Sequence, residues 1–76
     1  EDRTAFVDSM IARLAARLEA NPDDAEGWMM LARSHLSQGN RDAAISALER
    51  GISLLEAGKA APLKAMLDNL PSNPDL

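Results

Sequence analysis

The stretch NPDDAEGWMMLARSHLSQG, Asn21 to Gly39, decides the fold of this 76-residue chain. Pro22 lacks a backbone donor and disfavours helix in the residue before it, so whatever helix precedes it must end near Asn21. Asp23 stands three residues before Glu26, as in a capping box with Asp in place of Ser or Thr, and the acidic cluster suits the positive end of a helix. Trp28, Leu31, Ala32, His35 and Leu36 then follow the i, i+3, i+4, i+7, i+8 pattern of one apolar helical stripe. Gly39 closes it as a left-handed stop. The spacing predicts helix 2 over 25–38.

Outward from this segment, the same period recurs on both sides. Phe6, Val7, Met10, Ile11, Leu14 and Leu18, with Asp8, Ser9, Arg13, Arg17 and Glu19 mostly between them, predict helix 1 over 4–20. Asn40 is a natural N-cap for helix 3, expected over 41–57, whose inward positions are Ala44, Ile45, Ala47, Leu48, Gly51, Ile52 and Leu55, with Gly58 as its breaker. Short links force neighbouring helices to run antiparallel, and Ala44, Ala47 and Gly51 allow close approach of the backbones. Pro62 at a first helical turn, with Leu63, Met66, Leu67 and Leu70 at helical spacing, predicts a short helix 4 over 61–70 stopped by Pro71. A frayed tail is expected over 71–76. No stretch alternates as a strand does, so the chain reads as an all-α antiparallel helix bundle.

Composition supports this and excludes several functions. Phe6 and Trp28 are the only aromatic residues, so the core rests on Leu, Ile, Met, Val and Ala. A net charge of −4 without a Lys/Arg cluster on one face speaks against nucleic acid as a partner. Zero cysteines exclude disulfides, thiolate metal sites and thiol catalysis, and leave the compartment open. No apolar run reaches the roughly 18 residues that cross a membrane, so no membrane contact by this segment is expected. Because Glu1 opens the sequence without an initiator Met, the chain is read as one excised domain of a longer protein.

Trp28, Leu31, Ala32, Gly39, Ala44 and Leu48 resemble the tetratricopeptide repeat, a helical hairpin of about 34 residues. The resemblance covers Ala25 to Gly58, and Pro22 fits the terminal Pro of a preceding unit, which makes helix 1 the second helix of an incomplete repeat. About one and a half repeats are implied, followed by helix 4. Two positions depart from the pattern: Gly51 replaces the usual late Ala, and Glu56 stands where the terminal Pro would be. Stacked repeats normally need about three units for a continuous core. Helix 4 is therefore expected to fold back as a cap, the alternative being weak homodimerisation through the open edge of helix 1 or helix 3.

The wording from Leu14 to Ser34, LAARLEANPDDAEGWMMLARS, is similar to the periplasmic repeat region of the CycH/CcmI family of bacterial cytochrome c maturation. That resemblance implies a domain beyond a membrane anchor which holds the C-terminal helix of unfolded apocytochrome c and presents it to the haem-attachment machinery. It implies a periplasmic location, the alternative being cytoplasmic, and a protein or peptide as partner. A generic repeat scaffold in another assembly is the alternative function.

Stacked repeats line their concave surface with the first helix of each unit, so Glu26, Met29, Arg33, Leu36 and Ser37 on helix 2 are the candidate partner-binding residues. Met29 and Leu36 suit the apolar stripe of an amphipathic helix, and Arg33 suits a carboxylate. Arg13 and Arg17, four apart on helix 1, form a cationic strip with Arg33 if helices 1 and 2 pack side by side, or else a solvated face. His35 is the only residue of a type whose reference pKa lies near neutrality, and an enzyme using it is the remote alternative. Its place on the inner stripe points instead to packing with one ring nitrogen hydrogen-bonded. No catalytic group, cofactor or metal ligand is expected, since no second His, Cys or alternating acidic loop accompanies it.

Overall fold

The computed structural model describes residues 2–70, with side chains from Ala5 onward, and contains four helices: α1 (Asp2–Ala20), α2 (Ala25–Ser37), α3 (Arg41–Leu54) and α4 (Ala57–Asp68). The tail expected at 71–76 lies outside the described residues. The class is all-α, consistent with a tetratricopeptide-like arrangement, and the helices lie in a slab whose Cα extents are 40 × 36 × 13 Å. α2 packs against each of the other three helices, α4 packs on α3 and α2, and α1 packs on α2 alone.

The turns account for this order. Asp24, not Asp23, is the N-cap of α2: its Oδ1 accepts from the Gly27 N–H at 3.0 Å. Asp23 is thereby released to pair with Lys59 at 2.8 Å, tying the α1–α2 turn to the first turn of α4. At the far end of α2 the Gly39 N–H donates to the Leu36 carbonyl and the Asn40 N–H to the His35 carbonyl, each at 2.9 Å. This is a Schellman motif, and Gly39 supplies the required left-handed backbone at φ 75°. Asn40 then caps α3, its side-chain oxygen accepting from the Ala43 N–H at 3.3 Å.

The two largest departures from the spacing argument lie between α3 and α4. α3 stops at Leu54, short of residue 57, because Leu55 turns to extended backbone (ψ 154°) and buries its side chain. α4 starts at Ala57, not at 61, so Gly58 lies inside its first turn and Pro62 lies within the helix. Gly58 has ordinary backbone here and breaks nothing. Early initiation brings Ala60 and Leu63 into the core together, and that burial offsets the weak helix propensity of Gly58 and the ladder bond that Pro62 cannot donate.

The core is a single cluster of Leu18, Trp28, Leu31, Ala32, Ala44, Ala47, Leu48, Leu55, Ala60 and Leu63. Trp28 sits at its centre, almost fully buried, with its indole N–H donating to the Pro22 carbonyl at 2.9 Å. Gly51 is the surface it docks on: a Cβ there would lie 2.7 Å from Trp28 Cγ and would also strike Leu63 Cδ2. The departure of Gly51 from the repeat pattern thus has a steric cause.

Gly-to-Ala substitution in a helix normally gains up to about 1 kcal/mol from backbone entropy. Gly51→Ala is expected to do the reverse, lowering the unfolding free energy by about 1–3 kcal/mol through overpacking. Gly58→Ala, which meets open space, should be neutral or gain a few tenths to about 0.5 kcal/mol. Urea unfolding of both variants checks the opposite signs.

Candidate functional site: an apolar groove between two helices

α1 has the amphipathic pattern its sequence promises, yet of its apolar stripe Leu18 alone is fully buried among the described side chains. Ile11 and Leu14 are half-buried against α2, while Phe6 and Met10 are 65% and 52% exposed. Among the described residues no helix packs over the Phe6 and Met10 side of α1, whose close packing is with α2 and whose stripe is broad enough for a second partner. Met30 of α2, 55% exposed, stands on the same side.

Between these residues runs an open groove of about 480 Å³, lined by Val7, Met10, Ile11 and Leu14 with Arg13 and Arg17 from α1, and by Met30 and Ser34 from α2. The Ser34 hydroxyl donates back to the Met30 carbonyl at 3.0 Å, so it presents little free polarity to an occupant. The α1 edge is cationic. Arg13 and Arg17 are exposed, and neither forms an ion pair or hydrogen bond with another described side chain. Arg17 also borders a small crevice with Asp24, whose carboxylate is engaged as the α2 cap.

The residues singled out on α2 divide. Met29 and Leu36 are half-buried and pack against the core. Glu26, Arg33 and Ser37 are exposed, and helical offsets place them around Met30, at i−4, i+3 and i+7. Arg33 lies outside the groove and does not extend the strip of Arg13 and Arg17. Sequence reading missed Met30 and Ser34. The available signal was the double Met at 29–30, of which only one can lie on the inner side.

His35 is half-buried between two shallow crevices, one shared with Glu19 and Trp28, the other with Asp8, Gln38 and Asn40. The hydrogen bond expected of its ring is not formed, and no buried side-chain polar atom among the described residues lacks a partner, so the ring nitrogens reach solvent. No group of three potential metal ligands occurs among the described residues.

Away from the groove, α1 is strapped to its neighbours by polar contacts. Arg50 of α3 grips Glu19 through Nε at 2.9 Å and a terminal nitrogen at 2.6 Å, and Gln38 reaches Asp8 at 3.0 Å. The hydrogen bond from Arg50, reinforced by its charge, holds the Glu19 carboxyl below its ordinary value. Likewise the hydrogen bonds to Asp23, with the charges of Asp23 and Glu56, raise the Lys59 ammonium.

Groove and framework together define an all-α helical-hairpin module with one unpartnered apolar edge, the class in which peptide and helix recognition is common. Among curated proteins the chain is similar to two cytochrome c-type biogenesis proteins named CycH. It is 52% identical to that of Bradyrhizobium diazoefficiens over 46 residues, 60% of this chain and 12% of the relative. To that of Rhizobium meliloti it is 41% identical over 56 residues, 74% of this chain and 15% of the relative. The chain therefore spans under a sixth of the length of these relatives. No family model matches the chain, and no solved structure matches it. No described helix is long and apolar enough to cross a membrane.

The Glu19–Arg50 pair has a defined pH signature. Because the folded value of Glu19 is depressed, its contribution is present above the unfolded carboxylate value and is lost as pH falls through the lower folded value. Glu19→Gln should therefore be less stable than the parent at neutral pH, and the two should converge in acid, once the pH has fallen below the depressed folded value. Urea midpoints measured across pH test this.

Proposed function

We propose that this chain is a protein–protein interaction module of cytochrome c maturation that captures an amphipathic helix, with the C-terminal helix of apocytochrome c as the partner. The observation that carries the reading is the groove of Val7, Met10, Ile11, Leu14 and Met30, an apolar surface between two helices where a third can lie. Similarity to proteins named for cytochrome c-type biogenesis supports the pathway, and the wording from Leu14 to Ser34 supports the partner. In this proposal the module works in the periplasm, as part of a membrane-anchored protein, and carries out no catalysis.

The mechanism follows from the shape of the site. An unfolded client contains helical segments whose apolar face is unsatisfied, and burying that face against Met10 and Met30 removes both surfaces from water at roughly 25 cal/mol per Å². Two methionines favour tolerance, because flexible thioether chains adapt to different stripes. Glu26, Arg33 and Ser37 around Met30 form the polar rim on the α2 side. Capture of this kind is reversible, which a holding role requires.

Titration with a peptide of the apocytochrome c C-terminal helix, followed by anisotropy, should saturate. Met10→Glu and Met30→Glu, both at exposed positions that leave the core intact, should each weaken binding about tenfold or more. Unchanged affinity in both variants would sink the groove as the site.

A further inference from the structure

We infer that the helix held in the α1–α2 groove carries a pair of carboxylates, three or four residues apart, beside its apolar stripe, and that Arg13 and Arg17 recognise them. This rests on the helix-capture reading above and adds the chemistry of the partner to it.

The argument is one of charge and spacing. The chain carries a net charge of −4, yet the groove's α1 edge presents two guanidinium groups and no acid. Across the groove, Glu26 and Arg33 flank Met30 and cancel each other, so the surface around an occupant is positive against the sign of the whole molecule. Pairing within the fold does not account for these two arginines, although Arg17, in the last turn of α1, also suits the negative end of that helix. The other ion pairs that staple the slab, Arg50 to Glu19 and Lys59 to Asp23, are made within the chain, whereas Arg13 and Arg17 have no partner among the described residues. Asp24, the acid that shares the neighbouring crevice with Arg17, forms no ion pair with it, and its Oδ1 accepts from the Gly27 N–H.

Their separation by four residues puts both arginines on one side of α1, one turn apart. A helix lying alongside presents its own side chains at that same repeat, so carboxylates at i and i+4, or i and i+3, meet both guanidiniums at once. Each planar guanidinium can engage a carboxylate through two parallel hydrogen bonds, a geometry that Lys does not reproduce. The apolar stripe supplies the affinity, and the arginines select among helices and fix their register. A second copy of the chain is the poorer occupant on charge, since the same stripe on α1 would bring Arg13 and Arg17 of two copies towards one another.

The test uses two peptides of about four helical turns with an identical Leu/Ala stripe, one bearing Glu and the other Lys at two flanking positions four apart. The Glu peptide is expected to bind about five- to tenfold tighter at low salt, with the preference shrinking as salt rises. Arg13→Glu/Arg17→Glu, substitutions at exposed positions, should reverse the preference. Equal affinity of the two peptides for the parent protein would overturn the inference and leave helix capture standing. Failure of both peptides to bind would overturn helix capture itself. Sedimentation of the parent alone closes the remaining route: a dimer dispersed by Met10→Glu assigns the groove to a second copy and rejects the carboxylate partner.

Discussion

Everything in this molecule depends on the seat of Trp28 against Gly51. A buried indole is the largest apolar group the chain possesses, and in a slab this thin it can be covered only if a neighbouring helix offers bare backbone. Gly51 does so on one side, while Leu63 closes over the same spot from α4. Three helices thus converge on one side chain, and the indole N–H is satisfied by the Pro22 carbonyl in the turn that precedes its own helix. The same contact dictates the chain path. α3 cannot shift along α2 without driving a Cβ into the indole, and α4 must start early enough to bring Ala60 and Leu63 to it.

This convergence leaves α1 on the outside. It contributes Leu18 fully and Ile11 and Leu14 partly to the core, and is otherwise held by exposed polar contacts to Arg50 and Gln38. Such contacts stabilise little when solvated. They are well suited, however, to fixing the orientation of a helix whose remaining apolar face stays open. Rigid placement of that face matters, because a groove formed by two tethered helices requires less ordering when it is filled than one assembled on contact.

Much of the fold was legible because its determinants are local. Pro22, the Schellman glycine at Gly39, the Asn40 cap and the period of the apolar residues each act within a few positions, and so the helices could be placed from sequence. What eluded the sequence was set by contacts between distant segments. Asp23 and Asp24 are equivalent cap candidates until Lys59, 36 positions on, takes one of them. Gly58 reads as a breaker until Ala60 proves to be core. Most consequentially, periodicity reports that Phe6 and Met10 are apolar on one side, but not whether a neighbour exists to cover that side. The same limit hid the groove: Met29 and Met30 differ by about 100° around α2, and only the position of α1 decides which one packs on the core and which meets the groove.

The division between the two ends of the slab follows from composition as well as topology. At the α4 edge the exposed residues are largely small or charged, Ala57, Gly58, Lys59, Ala61, Lys64 and Ala65, so little apolar area is left uncovered there. At the α1 edge they are Phe6, Met10 and Met30, large side chains whose exposure is costly in an isolated domain. None of the three belongs to the core cluster, so polar replacements there would leave the core intact. On the proposed reading, these residues and the two arginines beside them set the physical requirements on an occupant: an apolar stripe for the methionines and negative charge for the edge of α1.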